Sequence, residues 1–332
     1  MLKSSKIVIL TEGGYRFGLG HMSRCFSLYQ ALKRKVRNVK LIVHGDSAVE
    51  KLFTGKQISY YNWKEEYKRT IEFLRNSDIV VIDSYYGDRK FYERFTKYAK
   101  TGVFFDDDLR MEYPEGYIIN PALNAKMVSY NFGSNHVYLL GSEYQILQKT
   151  LWRRKRYHIN EKITNILITF GAADLTGTTC KVLSFLVNKY SGITKKVVIG
   201  RWFENKAKIE KAADNNTQII NSPNPVRMIN EMRKSDLVIT AGGQTLYESA
   251  CVGIPAIAVL TAGNQDNNIT GWNKAGFIEF AGKATDNMFF DNLERGINLL
   301  RDRKERLKRS NIGTTLVDGK GVERIVKVLL KG

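Results

Sequence analysis

The sequence predicts a parallel α/β fold organised as two doubly wound domains. Short apolar runs alternate with amphipathic stretches, the series occurs twice along the chain, and glycine-rich segments stand where key runs end. In the first half the strand candidates are residues 7–10, 39–43, 79–83, 102–105 and 116–120. The helix predicted over 22–34 carries Met22, Cys25, Phe26, Tyr29 and Leu32 at helical spacing. A second series follows, with strands over 163–170, 196–199, 217–220, 236–240 and 256–260 and helices over 178–190, 225–233 and 244–252. Strands buried on both faces, alternating with helices, mean a parallel sheet. A chain of 332 residues has room for about two domains of ~150 residues. The seam falls at 148–163, where the pattern dissolves into polar and basic residues, and divides the chain into 1–150 and 151–332.

Composition narrows the classes. The chain is 43% hydrophobic and 26% charged, as a soluble globular protein is. No run approaches the ~20 apolar residues of a spanning helix. The apolar start at 7–10 is followed at once by Thr11-Glu12-Gly13-Gly14, too soon for a signal peptide. Cys25, Cys180 and Cys251 lie far apart, which argues against a disulfide scaffold or zinc ribbon. A cytoplasmic location is expected. The 52 Lys and Arg against 33 Asp and Glu leave a net charge of +19. That surplus either attracts a polyanion or solvates a basic surface. The basic runs at 33–40, 153–156 and 301–309 are scattered and come without a nucleic-acid-binding signature, so no nucleic-acid partner is predicted. Membrane contact is not expected, although Trp152 stands beside the 153–156 run, and a monomer is expected.

The informative residues follow strands, where ligands of open α/β sheets bind. After the first strand comes Thr11-Glu12-Gly13-Gly14-Tyr15-Arg16-Phe17-Gly18-Leu19-Gly20-His21-Met22-Ser23-Arg24. Its glycines permit a tight turn. His21 falls in the first helical turn, where the macrodipole favours a neutral imidazole able to accept a proton. Arg24 lies on the same face. The same stretch is a damaged dinucleotide fingerprint, with Ser23 in place of its third glycine and only Asp46 near the ribose-acid position. His44, His136 and His158 sit in structural or exposed contexts.

Near the other end of the chain, Ala241-Gly242-Gly243 ends a strand and Gln244 opens a helix. Backbone N–H groups at such a terminus suit a pyrophosphate, with Thr245 beside them and Glu248 one turn on to meet ribose hydroxyls. Gly253-Ile254-Pro255 stops the helix, and the following strand leads to Asn264 and Gln265. A third loop, Gly171-Ala172-Ala173-Asp174, precedes a helix-capping Thr-rich stretch and could add phosphate or sugar contacts. Asp83 and the triplet Asp106-Asp107-Asp108 also stand at strand ends. Adjacent aspartates can hold Mg²⁺ or Mn²⁺. No histidine or glutamate cluster joins them, so a loop orienting substrate hydroxyls is the favoured reading and no metal is expected.

Taken together, Gly18, Gly20, His21 and Arg24, the 83–87 Asp-Ser-Tyr-Tyr-Gly stretch, Phe105-Asp106-Asp107, the 141–147 Gly-Ser-Glu-Tyr segment and the 242–265 Gly-Gly-Gln-Thr-Leu-Tyr-Glu…Gly-Ile-Pro…Asn-Gln pattern resemble the PseG-type UDP-sugar hydrolases of pseudaminic acid biosynthesis, and spore-coat polysaccharide proteins of the SpsG type. The resemblance implies the GT-B fold, two Rossmann-like domains facing a central cleft as in MurG, with the nucleotide held mainly by the second. It implies metal-independent, cofactor-free hydrolysis of UDP-2,4-diacetamido-2,4,6-trideoxy-β-L-altropyranose to UDP and the free sugar with inversion. Carried over, His21 is the base or positioning group for water. Gly243, Gln244 and Thr245 hold the diphosphate together with Gly242 and Gly171, Glu248 holds the ribose, and Asn264 and Gln265 lie near the phosphates or sugar. Gly20, Arg24, Asp83, Tyr86, Asp107, Asn120 and Asp174 complete the expected substrate site. The pattern departs from the family at Leu10-Thr11-Glu12-Gly13-Gly14, at Gly171-Ala172-Ala173-Asp174 and at Asn120-Pro121-Ala122-Leu123-Asn124, so the nucleotide half is better supported than the sugar half. An inverting GT-B glycosyltransferase in surface polysaccharide synthesis, with His21 deprotonating an acceptor hydroxyl, is the alternative.

Overall fold

A computed structural model describes residues 5–53, 55, 57–127, 129–130, 135–152 and 158–331; the 153–156 basic run lies outside the described residues. The chain divides into two compact units, Met1–Lys149 with Lys320–Gly332, and Thr150–Gly319. In chain order the elements of the first stretch are β1 (Lys6–Glu12), α1 (Gly20–Lys33), β2 (Asn38–His44), α2 (Ser47–Leu52), β3 (Ile58–Tyr60), α3 (Tyr67–Leu74), β4 (Ser77–Asp83), α4 (Arg89–Thr96), β5 (Ala99–Phe105), β6 (Gly116–Asn120) and β7 (His136–Leu140). The second stretch runs β8 (Asn165–Thr169), α5 (Thr178–Lys189), β9 (Thr194–Ile199), α6 (Lys206–Ala212), β10 (Thr217–Asn221), α7 (Pro225–Arg233), β11 (Leu237–Ala241), α8 (Gln244–Val252), β12 (Ala256–Val259), α9 (Asp266–Lys274), β13 (Ile278–Phe280), α10 (Phe289–Leu300) and α11 (Arg303–Leu316), and the chain closes with α12 (Gly321–Leu329).

The first unit holds a seven-stranded sheet of order β3-β2-β1-β4-β5-β6-β7, and the second a six-stranded sheet of order β10-β9-β8-β11-β12-β13. Their described pairings are parallel. Parallel neighbours require a crossover, so helices cover the sheet faces and the central strands carry near-continuous apolar runs. In β1 every residue from Ile7 onward is buried. One core in the first unit packs Val8, Leu10, Val80 and Ile82 against Trp63, Tyr92, Phe95 and Phe104. The second unit packs Ile166, Ile168, Ile239 and Ile257 against α5 and α10 through Val182, Leu186, Leu293 and Ile297.

The edge strands β3, β7 and β13 are absent from the sequence reading. Ile58–Tyr60 and Ile278–Phe280 span only three residues, too few to display a period, and depend on the neighbouring strand for their conformation. The C-terminal stretch, which a division at 150/151 assigns to the second half, belongs to the first unit. Val322, Ile325, Val326 and Leu329 make one buried face of α12, packed on α1 and on the short 3₁₀ turn Ser142–Tyr144. Arg324 Nη1 also donates to the Glu143 carbonyl at 2.9 Å.

Each sheet has a point where strand order reverses, and there the connections leave in opposite directions and open a crevice at the carboxyl ends. These points lie between β1 and β4, and between β8 and β11. Thr11 pairs with Asp83 in one, and Thr169 with Thr240 in the other. Gly20, His21, Arg24, Asp83 and Tyr86 lie at or after the first pair of strand ends, and Gly171, Asp174 and Gly242 to Glu248 after the second, whereas Asp107, Asn120, Asn264 and Gln265 stand at the ends of β5, β6 and β12. Among the described residues no helix is long and apolar enough to cross a membrane.

Candidate active site

In the first unit, β1 leads through a glycine-rich loop into α1, whose N-cap, Leu19, offers no side-chain acceptor and whose first turn has no acid. His21 is buried in that turn, and its Nδ1 lies 2.7 Å from Oδ1 of Asp83, the last residue of β4. Burial alone would raise the Asp83 carboxyl, but the Arg24 charge and then His21 outweigh it and hold the group far below the usual carboxylate range. An ionised carboxylate at this distance requires the imidazole proton on Nδ1. Nε2 is then the ring's proton acceptor.

Arg24, one turn along α1, ties two strand ends together. Its Nε and Nη2 donate to Asp83 at 2.6 and 2.7 Å, and its Nη1 and Nη2 donate to Asp107 at 2.8 and 2.9 Å. Its guanidinium stacks 4.6 Å over the Phe105 ring. Burial would lower its pKa, yet Asp107 and Asp83 push it well above normal. Asp107 responds in kind: burial would raise it, and Arg24 holds it below its ordinary value. Two carboxylates thus share one guanidinium, leaving one negative charge while His21 is neutral. Cys25 Sγ donates to Asp83 at 3.3 Å, and burial, then the Asp83 charge, pushes its thiol well up, so it stays an uncharged thiol.

Of the adjacent tyrosines the sequence points to Tyr86, but it is Tyr85 that reaches the cluster. The Tyr85 ring meets His21 edge-on at 4.5 Å, and its hydroxyl donates to Asp107 at 2.7 Å. Tyr86 is exposed and packs edge-on against Phe91. Gly20 precedes His21 at the exposed start of α1. Asp106 turns away from Asp107 and accepts from Arg110 N–H at 3.1 Å and Tyr130 hydroxyl at 3.1 Å. Burial raises its pKa. Asn120 joins the same set, donating to Tyr130 at 2.8 Å and accepting from Ala122 N–H at 3.0 Å. Among the described residues no group of three or more His, Cys, Asp or Glu side chains is placed to hold a metal ion. Asp46 is spent locally: Oδ1 caps α2 at Ala48 and Val49, and Oδ2 accepts from Tyr15 N–H.

In the second unit β11 delivers Ala241-Gly242-Gly243 to the start of α8, where Gly243 caps the helix without any side-chain bond. Gly242 is held by two side chains from the next crossover. Gln265 Oε1 accepts from its N–H at 3.2 Å, and Asn268 Nδ2 donates to its carbonyl. Gln265 also accepts from Thr261 N–H and hydroxyl, and Asn268 accepts from the Tyr247 hydroxyl at 2.6 Å. A Cβ at Gly242 would overlap Ile269 Cγ1 and Cδ1, whereas a Cβ at Gly243 meets nothing within 4 Å. The close approach explains the first glycine; the open space before α8 suits an anion at the second. Gln244 and Thr245 form the first turn, and Glu248 lies half-buried one turn further along the helix. Asn264 is exposed on the turn Gly263–Gln265. Sequence reading missed Asn268, whose polar side chain inside a helix carries no pattern signal.

After β8, Gly171 is exposed with φ +81°, open to the solvent side. Asp174 Oδ1 and Oδ2 accept from Thr178 and Thr179 N–H at 3.0 and 2.8 Å, tying the loop to the first turn of α5.

A family model described as "Protein of unknown function (DUF354)" matches residues 148–265. Among curated proteins, an uncharacterised protein of Methanocaldococcus jannaschii is 26% identical over 269 residues, 76% of this chain. The Helicobacter pylori protein "Pseudaminic acid cytidylyltransferase and UDP-2,4-diacetamido-2,4,6-trideoxy-beta-L-altropyranose hydrolase" is 25% identical over 296 residues, 88% of this chain. The match covers 55% of the first and 51% of the second, so the chain spans about half the length of these two relatives. Bacillus subtilis "Spore coat polysaccharide biosynthesis protein SpsG" is 23% identical, over 97% of this chain and 96% of that protein. Of solved structures, Acinetobacter baumannii MurG superposes with a TM-score of 0.67 at 14% identity, covering 98% of this chain and 100% of that one. Neisseria meningitidis UDP-GlcNAc 2-epimerase bound to UDP-GlcNAc superposes with a TM-score of 0.61 at 14% identity, over 98% and 100%. The chain therefore has the GT-B fold and is a remote relative of the H. pylori hydrolase-containing protein and of SpsG.

Proposed function

We propose that this chain is a UDP-sugar hydrolase, cleaving the anomeric C–O bond of a UDP-diacetamido-trideoxyhexose in nonulosonic acid biosynthesis. The observation that carries the reading is the His21–Asp83 pair at the β1–β4 strand reversal, in which Nδ1 faces the Asp83 carboxylate and Nε2 is left to take a proton in this reading. In this reading His21 Nε2 removes a proton from water as its oxygen attacks the anomeric carbon from the face opposite UDP. The new C–O bond forms as the bond to the β-phosphate oxygen breaks, and the configuration inverts. UDP carries away the electron pair, its charge met by the Gly243, Gln244 and Thr245 N–H groups and the α8 dipole. Glu248 takes the ribose hydroxyls. Asp83 holds the imidazole in its tautomer and, with Arg24 and Asp107, stabilises the imidazolium. The first unit is the sugar side, with Gly20, Tyr86 and Asn120 near the substrate, and the second is the UDP side, with Gly171, Asn264 and Gln265 near the phosphates.

The test is UDP release from a panel of UDP-sugars without acceptor, in labelled water. Label at carbon one of the sugar, loss of turnover in His21→Ala and indifference to EDTA are expected. The MurG likeness favours a second reading, an inverting glycosyltransferase. UDP release only on adding an acceptor alcohol would select it, and EDTA sensitivity would redirect attention to Asp106–Asp108.

A further inference from the structure

Glu12 ends β1 almost wholly buried, 3% exposed, and makes an ion pair with Lys64 at 2.6 Å. It stands where the sequence departs from its resembled family, and nothing above gives it a task. Lys64, on the loop after β3, is mostly buried, its side chain 9% exposed. Its ammonium lies 5.0 Å from the Phe17 ring centroid, 4.8 Å from Tyr86 and 5.9 Å from Trp63, within cation–π range of all three rings. Trp63 is anchored by its indole N–H, which donates to the Thr11 carbonyl at 2.8 Å. The second oxygen of Glu12 accepts from Tyr85 N–H at 3.3 Å. Tyr85 in turn is the residue whose ring abuts His21 and whose hydroxyl reaches Asp107.

Three strand-end loops therefore converge on one buried charge pair. Phe17 comes from the loop that leads into His21, Lys64 and Trp63 from the loop after β3, and Tyr85 and Tyr86 from the loop after β4. A buried pair is costly to desolvate and adds little net stability over an apolar replacement. What it supplies is geometry, a directional bond to Tyr85 N–H and a cation set among the Phe17, Trp63 and Tyr86 rings.

We propose that Glu12 and Lys64 are a positioning pair for His21, a latch that holds the Tyr85 ring and hydroxyl where they fix the imidazole and Asp107. The catalytic part of this inference rests on the hydrolase reading; the positional part does not. The polar partners of the pair are each other and Tyr85 N–H, all in the first unit, so the latch acts on the chemical step and leaves UDP binding alone.

The experiment compares wild type with Lys64→Met, with the charge-free double variant Glu12→Met/Lys64→Met, and with Lys64→Arg. Turnover of the UDP-sugar, UDP affinity by calorimetry and the NMR shifts of the His21 ring protons beside Tyr85 are measured on each. The double variant leaves no unpaired buried charge and is expected to fold. It should lose about tenfold or more in kcat, with KM and UDP affinity within about threefold, and its His21 shifts should move. Lys64→Arg keeps both the charge and the ring contacts and should recover most of the rate. A double variant that melts lower but keeps wild-type kcat and His21 shifts would show a purely structural pair and overturn the latch. If the wild type hydrolyses no UDP-sugar, the hydrolase reading fails, and the His21 shifts alone then decide the latch: moved supports it, unmoved sinks it.

Discussion

At the residue scale, Asp83 decides what His21 can do. The carboxylate fixes the Nδ1 proton, so an amide of the same shape removes the tautomer control while keeping the packing. Asp83→Asn is expected to cut turnover about a hundred- to ten-thousand-fold with UDP affinity unchanged, measured by UDP release and calorimetry. A fall below about tenfold would mean that His21 does not work through this pair. The two buried aspartates of this region also respond oppositely to acid. Asp83 is depressed in the fold, so the stability it contributes is present above the ordinary carboxylate pKa of about 4 and is lost as pH falls through the folded value. Asp106 is raised, so its contribution is full below that pKa and is lost as pH rises through the folded value. Urea unfolding of wild type and Asp106→Asn across that interval tests the sign. The wild type should lose stability relative to the variant as pH rises from about 4 toward neutrality.

At the element scale, the α8 terminus separates two roles that adjacent glycines share in the sequence. Gly242→Ala drives a methyl into Ile269 and should cost about 1–3 kcal/mol of stability by denaturant melting. Gly243→Ala has space and should fold normally, but its methyl occupies the anion's place before the helix. UDP affinity should fall about tenfold, ~1.4 kcal/mol. Equal stability loss in both, with UDP binding intact in Gly243→Ala, would remove α8 from the nucleotide site. Gln265 and Asn268 both bond to Gly242, so the segment after β12 shapes the backbone that leads into α8.

At the scale of the whole molecule, the first unit is completed by residues far away in sequence. Deleting 320–332 strips the buried Val322, Ile325, Val326 and Leu329 from α1, the helix that carries His21 and Arg24. Each such side chain contributes about 1.5–3 kcal/mol, a sum comparable to the 5–15 kcal/mol stability of a typical domain. The truncated chain should show an unfolded first unit by hydrogen exchange while the second unit keeps its protection and its UDP affinity. Protection of β1 and β4 surviving the deletion would contradict that dependence. The +19 charge has no such concentrated role in the described clusters: the His21 centre carries two carboxylates to one guanidinium, and the α8 terminus uses backbone N–H groups.

Local sequence carried much of this molecule, because its signals are local in origin. Apolar runs of β-branched residues declared the central strands to within a few residues, and the helices over 225–233 and 244–252 matched without adjustment. Glycines at strand ends and a histidine in a first helical turn marked both clusters, since turn sterics and helix termini act over a handful of residues. The edge strands β3, β7 and β13 escaped; β3 and β13, at three residues each, are too short to show a period and take their conformation from their neighbours. Side-chain roles escaped where they depend on partners distant in the chain. Arg24 bridging Asp83 and Asp107, Tyr85 rather than Tyr86 against His21, and Glu12 paired with Lys64 are all settled by contacts between segments far apart in the chain. Periodicity and propensity report what a residue prefers within its own turn or strand. Which charge a buried carboxylate meets is decided by the parallel sheet, which sets side by side residues tens of positions apart.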